Sequence, residues 1–416
     1  MENYDKNSIK FLAGHNGLVG SAIHRRLKAL KFKKIITVSK KKLDLRNPIK
    51  VKKFFKNKKI DYLIIAAAKV GGILANKNYQ DEFLIDNINI QNNLLLLAKD
   101  KKIKRTIFLG SSCIYPKNSK TPIKESSLLT GKLEKTNECY AIAKIAGIKL
   151  SEALAKRYNL DIVAIMPTNT YGKNDNFDMD NSHVIPGMIT KFIKAKKENK
   201  NQVKLFGTGK PEREFIYSDD LANAIVKMIF ISKKKLNKTF KNELPILNVG
   251  TGQSISIKDL ALLIKQIINY NGKIIFDKNY PDGTMKKNLD SRIIKSLGWA
   301  PKIKIDDGLN KVYNSIKDNY VIGGLSSSAT AITVSPFQTQ TSTLFVGTEN
   351  GQLWKISDAQ KTSNQTKELI SGNDFVGSIS DVEFGENENE IFVTFYNYGV
   401  KSIYYSSDGG ETWQDK

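Results

Sequence analysis

The amino-acid sequence predicts an α/β protein: a doubly wound parallel sheet with a smaller substrate-binding part, followed by a separate all-β segment. Three features predict it. Short apolar strands alternate with segments of helical spacing over the first three-quarters of the chain. A glycine-spaced turn joins the first strand to the first helix. Charge and residue usage then change together at Val321. From there on five Lys and no Arg stand against twelve Asp or Glu, a net of about −7 by formal counting, which leaves about +32 before the seam.

Taken in order, Ile9 to Ala13 reads as a buried strand and Leu18 to Ala29 as a helix. Lys34 to Val38 and Asp61 to Ala68 read as the next two strands. A helix follows from Asn89 to Leu97, then a strand from Arg105 to Leu109. Tyr140 to Tyr158 is a long helix, and Asp161 to Met166 and Ile246 to Val249 complete the strands. Past the seam, Thr343 to Gly347 and Gln352 to Ile356 flank the turn signal Glu349-Asn350-Gly351. Ile391 to Tyr396 and Lys401 to Tyr405 form a second such pair around Asn397-Tyr398-Gly399.

The first strand runs into Gly14-His15-Asn16-Gly17-Leu18-Val19-Gly20. Glycines at this spacing let the backbone turn tightly and approach a pyrophosphate, which rests on the positive end of the following helix. The spacing is G-x-x-G-x-x-G, found in extended short-chain dehydrogenases, and the fold it implies is Rossmann-like. Where an NAD-binding chain carries a ribose-binding carboxylate, after the second strand, this one reads Ser39-Lys40-Lys41-Lys42. A carboxylate there would repel a 2′-phosphate and lysines attract it, so the expected cofactor is NADP(H). Lys40 is the first choice for that contact and Asn16 the second; Asp44-Leu45 follows where such folds hold the adenine.

The net charge of +25 does not make this a nucleic-acid binder. The lysines are scattered over helices and loops with no interleaved aromatic platform, so they read as solvated faces. No run approaches the roughly 18 apolar residues of a membrane helix, and the first residues lack a secretory h-region. The two cysteines, Cys113 and Cys139, cannot make a disulfide framework. The expectation is a cytoplasmic enzyme with no membrane or nucleic-acid partner and no metal.

Tyr140 and Lys144 form Y-x-x-x-K, an i, i+4 pair on one helix face. An ammonium beside a phenol lowers the phenol's pKa and lets it exchange a proton at neutral pH. The pattern alone is common by chance. Here it follows a strand ending in Gly110-Ser111-Ser112-Cys113, which places a hydroxyl at the C-terminal end of a sheet strand, facing the cofactor crevice. Ser111, Tyr140 and Lys144 together suit hydride chemistry on a sugar carbonyl. On the residues alone, Cys113 also reads as an inert buried thiol and His183 as a loop histidine.

Longer stretches carry a resemblance. Ala66-Ala67-Ala68-Lys69-Val70-Gly71-Gly72-Ile73, Gly110 to Pro116, Thr136-Asn137-Glu138 and Tyr140 to Gly147 resemble the GDP-L-fucose synthase family. So do Met166-Pro167-Thr168-Asn169, Tyr171-Gly172, Asp175-Asn176-Phe177, Ser182 to Pro186 and Arg213-Glu214-Phe215. The resemblance spans residues 7–318. It implies 3,5-epimerisation of GDP-4-keto-6-deoxy-D-mannose, then NADPH-dependent reduction at C4, by a homodimer. The C3 and C5 protons are acidic because both carbons are α to the ketone, so epimerisation needs a base and an acid. By resemblance Cys113 is the base and His183 the acid. Tyr140 then protonates O4, Lys144 binds the nicotinamide ribose and Ser111 orients the ketone. The resemblance extends the cofactor site to Ala67, Leu109, Gly110, Ser112, Pro167, Thr168, Asn169, Thr170 and His183.

On the substrate side the resemblance implies that Arg213 and Lys191 neutralise the GDP diphosphate and that Phe206 packs on the nucleotide. Lys287 with Asp282 reaches the nucleotide or sugar. Three positions depart from the family: Lys191 stands for Arg, Phe206 for Trp, and Asn16 for Arg. Lysine cannot grip phosphate in the bidentate way arginine does. A different nucleotide-sugar epimerase or dehydratase of the same superfamily, and an inactive scaffold with a β-rich interaction tail, are the competing readings. The expected division is a reductase region over 1–320 and a separate segment over 321–416. Within the first, the NADP-binding core covers about 1–170 with returns near 205–255, and the substrate part covers mainly 171–205 and 256–320. Ser406-Ser407-Asp408-Gly409-Gly410-Glu411-Thr412-Trp413 resembles an Asp-box of β-propellers. About 95 residues supply at most two blades where a closed propeller needs four or more, which points to a fused fragment of separate origin.

Overall fold

The computed structural model describes residues 5–177, 182–280, 282–316, 329–337, 342–359, 366–372, 375–396 and 403–415. The chain divides into two units, Met1–Ile316 and Lys317–Lys416. The first unit opens with β1 (Lys10–Ala13), α1 (Leu18–Ala29), β2 (Ile35–Ile36), α2 (Pro48–Phe55) and β3 (Tyr62–Ile65). Then come α3 (Ile73–Asn78), α4 (Gln80–Asp100), β4 (Arg105–Leu109), α5 (Glu138–Tyr158) and β5 (Ile162–Pro167). The second half runs β6 (Asn169–Tyr171), α6 (Val184–Lys197), β7 (Gln202–Phe206), β8 (Glu212–Tyr217), α7 (Ser218–Phe230), α8 (Lys233–Phe240) and β9 (Ile246–Val249). It closes with β10 (Ser254–Ser256), α9 (Ile257–Ile268), β11 (Lys273–Asp277), β12 (Lys286–Lys287), α10 (Arg292–Ser296) and α11 (Ile305–Ile316).

A six-stranded parallel sheet in the order β2-β1-β3-β4-β5-β9 forms the centre. Its strands are apolar along their length because both faces are covered. Leu12, Ile64, Ile107 and Val163 pack toward α1 and α7, where Ile23, Leu27, Leu221 and Ile225 meet them. Phe11, Leu63, Phe108 and Ala164 face the other way, toward Phe55 of α2, Leu94 of α4 and Ile148 of α5. Strand order reverses between β1 and β3, and at such a switch point the strand C-termini open a crevice for ligands.

The remaining strands stand off this sheet. β8 pairs with β6, β10 and β12, while β7 and β11 form a two-stranded parallel ribbon. Two element boundaries differ from expectation. The strand expected over Lys34–Val38 pairs only at Ile35 and Ile36, because it lies at the sheet edge with one neighbour. The helix expected from Asn89 begins at Gln80, with Asp81 and Glu82 in its first turn, where carboxylates offset the positive end of the helix.

The second unit is two antiparallel four-stranded sheets. One is β13 (Ala329–Val334), β14 (Leu344–Thr348), β15 (Leu353–Ser357) and β16 (Thr366–Leu369). The other is β17 (Ile379–Phe384), β18 (Ile391–Phe395), β19 (Ile403–Ser406) and β20 (Gln414–Asp415). Phe345, Leu353, Ile379, Ile391 and Val393 share one core. The Asp-box closes the β19–β20 hairpin: Gly410 N donates to Ser406 Oγ at 2.8 Å and Thr412 N to Asp408 Oδ1 at 2.9 Å. Trp413 Nε1 donates to the Ile370 carbonyl at 2.7 Å. The turn expected at Asn397-Tyr398-Gly399, and Lys401 after it, lie outside the described residues.

Candidate active site

The phosphate turn leaves β1 at Gly14, whose φ of +85° is open to glycine and strained for other residues. A Cβ there would lie 2.6 Å from the Ala67 backbone nitrogen, so β1 and the loop after β3 touch through this glycine. A Cβ at Gly20 would lie 1.9 Å from the Gly14 carbonyl. Gly17 is different, because a Cβ on it would meet nothing nearer than that carbonyl at 3.6 Å. Two glycines thus serve the fold, and the third leaves bare backbone at the start of α1. That helix has no side-chain cap and no acidic residue in its first turn, so its terminal amides are available to an anion. These are the features a dinucleotide pyrophosphate needs, and the turn fits one.

Lys40 and Asn16 are exposed and His15 is partly so. Arg46 holds the Asp44 carboxyl well below its usual value, down to about 2, through paired hydrogen bonds at 2.8 to 3.1 Å. Arg46 also reaches Asp86 on α4 at 3.1 Å, and Asn93 donates to the Leu45 carbonyl at 2.9 Å. Asp44-Leu45 is thereby fixed against α4. Pro167 ends β5, and Thr168 Oγ1 and Asn169 Nδ2 both donate to the Glu214 carbonyl, at 3.1 and 2.9 Å. Thr170 Oγ1 donates to the Thr168 carbonyl at 3.2 Å.

The candidate catalytic residues come together where β4 ends. Leu109 completes the strand, and Ser111, after Gly110, caps a single 3-10 turn over Ser112–Ile114 by accepting from Cys113 N at 3.2 Å. Tyr115, just beyond, donates to Asn248 Oδ1 on β9 at 2.6 Å, tying this loop to the far edge of the sheet. The Ser111 side chain lies near enough to that of Tyr140 to lower the phenol's pKa. Lys144, 3% exposed, donates from Nζ to the Leu109 carbonyl at 2.9 Å. Its Nζ stands 5.8 Å from the Tyr140 ring centre.

The electrostatics differ from the simple Y-x-x-x-K expectation. Burial raises the Tyr140 pKa above the usual phenol value, nearby Cys113 raises it further, and Ser111 opposes both. The ammonium of Lys144 does not reverse this, and burial brings Lys144 itself down to about 8. Tyr140 is therefore held protonated at neutral pH, as a proton donor should be.

Cys113 is partly buried, and Asn137 Nδ2 donates to its Sγ at 3.2 Å. Asn137 precedes α5 yet makes no side-chain cap on it, so its amide is committed to the sulfur. His183 stands at the start of α6, with Nδ1 3.3 Å from Asp175 Oδ1, a carboxylate that is almost fully buried. Neither Asn137 nor Asp175 stands out in the sequence. Each lies in a stretch that resembles the family, but only the fold shows which side chain it supports.

The substrate-side residues also converge. Arg213 and Lys287 are register partners on the neighbouring parallel strands β8 and β12. Burial pulls the Arg213 guanidinium below its usual value, while Asp282 and Glu134 act the other way. Asp282 accepts from Thr208 N at 2.6 Å and Thr208 Oγ1 at 2.7 Å, which pins its loop beside β7. Lys191 on α6 places Nζ 4.3 Å from the centre of the Phe206 ring. The Glu214 carboxylate, fully buried, accepts from the backbones of Gly252 at 2.5 Å and Leu289 at 2.8 Å. It thereby fixes β8 against the turn before β10 and the segment that follows Lys287.

A family profile described as "NAD dependent epimerase/dehydratase family" matches residues 11–246. The chain belongs to that family. Within it, the chain is 45% identical over 317 residues to the putative GDP-L-fucose synthase 2 of Arabidopsis thaliana, covering 76% of this chain and 94% of that protein. It is 42% identical over 309 residues to the GDP-L-fucose synthase of Escherichia coli K12, covering 74% and 96%. Among solved structures, a GDP-mannoheptose C4 reductase from Campylobacter jejuni with NADP bound matches at a TM-score of 0.69. That match is 34% identical and covers 76% of this chain and all of the other. The epimerase/dehydratase fold accounts for the first unit. Among the described residues, no helix is long and apolar enough to cross a membrane.

Proposed function

We propose that this epimerase/dehydratase-family chain converts GDP-4-keto-6-deoxy-D-mannose to GDP-L-fucose, with NADPH as reductant. The observation that carries the reading is Cys113. A dehydrogenase needs only Ser111, Tyr140 and Lys144, yet a thiol held by Asn137 lies beside Tyr140, near enough to raise its pKa. An added acid–base couple is what epimerisation next to a ketone requires.

In this reading Cys113 removes the protons α to the ketone. His183, oriented by Asp175, returns protons to the opposite face. Bound NADPH supplies the hydride for C4. Ser111 orients the ketone, Tyr140 delivers a proton to O4, and Lys144 holds the ribose beside it. Gly14 to Gly20 receive the pyrophosphate, with Lys40 and Asn16 at the 2′-phosphate. Arg213, Lys191 and Lys287 neutralise the GDP diphosphate. The family resemblance further supports a homodimer working in the cytoplasm, with residues 317–416 dispensable for catalysis.

The test is NADPH oxidation by the full chain given this ketone, with the product identified by NMR. GDP-L-fucose, formed by the wild type and lost in Tyr140→Phe, supports the reading. A product reduced at C4 but unchanged at C3 and C5 contradicts it and favours a C4 reductase, the activity named for the Campylobacter jejuni structure.

A further inference from the structure

Phe206, at the end of β7, and Tyr280, after β11, lie parallel with ring centres 3.9 Å apart and planes 22° apart. They come together because β7 and β11 pair in parallel up to Phe206 and Asp277. Two aromatic rings usually stack to bury themselves, but here Phe206 is 47% and Tyr280 41% exposed. Lys191 stands at Phe206, and Asp282, in the loop after Tyr280, acts electrostatically on Arg213, the register partner of Lys287. Asp282, two residues past Tyr280, bonds Thr208, two residues past Phe206, so both rings are held from below by one clamp.

One face of Phe206 is covered by the Tyr280 ring at 3.9 Å, and the Lys191 ammonium stands 4.3 Å from the Phe206 ring centre. The Tyr280 face turned away from Phe206 is then aromatic surface open to a planar ligand. The family resemblance places Trp where Phe206 stands, a larger ring system. Tyr280 restores the aromatic area that phenylalanine lacks.

We propose that Tyr280 is a specificity-determining residue that stacks on the nucleobase of the nucleoside-diphosphate sugar, with Phe206 as its backing. The inference rests on the nucleotide-sugar reading above and deepens it. A two-ring purine covers more of such a platform than a pyrimidine, so the site favours a purine nucleoside diphosphate. Stacking needs the tyrosine ring but not its hydroxyl.

The test is calorimetric titration of GDP, with UDP as control, into the full chain and its variants. Tyr280→Ala is expected to weaken GDP binding about tenfold, in the range measured for loss of one base–aromatic stack. Tyr280→Phe is expected to stay within twofold of the wild type. Phe206→Trp added to Tyr280→Ala is expected to recover most of the loss. In steady state, Tyr280→Ala raises the KM for the sugar nucleotide about tenfold, while kcat and the KM for NADPH move less than twofold. Tyr280→Leu, which keeps bulk beside Phe206, repeats the loss if the alanine variant folds poorly. Equal GDP affinity in wild type and Tyr280→Leu overturns the inference, and so does a loss in Tyr280→Phe as large as in Tyr280→Ala. A wild type that binds no GDP overturns the nucleotide-sugar reading itself, and the inference with it.

Discussion

Asn137 is the side chain that supports Cys113, the base of the proposed epimerisation. Its amide donates to Cys113 Sγ rather than capping α5, so its removal costs the helix little and the sulfur a hydrogen bond. A hydrogen bond to a charged group contributes about 1.5–3 kcal/mol. Asn137→Ala should therefore slow proton exchange at C3 and C5 by about ten- to a hundredfold, with an unchanged melting temperature. Lys144 gives a pH signature. Its pKa of about 8 lies below that of a free lysine because burial disfavours the charged form. The ammonium is present below that value and lost above it, so kcat/KM should fall as pH rises through about 8. A flat profile from pH 7 to 9 would remove the ammonium from the mechanism. That Ser111, Tyr140 and Lys144 lie together was legible from spacing, since a strand end and one helix face place them locally. The support given by Asn137 and Asp175 was not, because it depends on where two loops meet in the fold.

At the scale of elements, the β1–α1 turn separates glycines that the fold needs from one that the ligand needs. Gly20→Ala sets a methyl group 1.9 Å from the Gly14 carbonyl and should destabilise the first unit by several degrees in thermal melts. Gly17→Ala meets no such obstacle and should melt like the wild type, while its KM for NADPH rises at least tenfold. Normal NADPH binding by Gly17→Ala would move the pyrophosphate away from this turn. The sequence revealed the central strands, since apolar runs bounded by turns are what two-sided burial demands. It did not reveal that α4 starts at Gln80, because the polar residues that open this helix break its apolar period. The β7–β11 ribbon was also hidden, as its partners lie some seventy residues apart and β11, Lys273–Asp277, does not alternate.

For the whole molecule, charge and composition marked the place where the chain changes character, and the structure has two units there, Met1–Ile316 and Lys317–Lys416. Each has its own apolar core. Every residue assigned to chemistry lies in the first. Residues 1–316 alone should therefore match the full chain in kcat/KM within twofold, and a larger loss would give the β-rich unit a part in the enzyme. The division at Lys317 lies four residues before the change in composition at Val321; the closing of the two small sheets onto one core was not legible in the sequence.

The central claim is that one site holds two separable proton-transfer functions, Cys113 with His183 for epimerisation and Tyr140 for reduction. It is tested most directly by incubating the protein with GDP-4-keto-6-deoxy-D-mannose in D2O without NADPH and reading deuterium at C3 and C5 by NMR. The wild type and Tyr140→Phe should both exchange, and Cys113→Ser should lose at least about a hundredfold, the usual scale for removing a general base. Undiminished exchange by Cys113→Ser, or its disappearance in Tyr140→Phe, would contradict that division of labour.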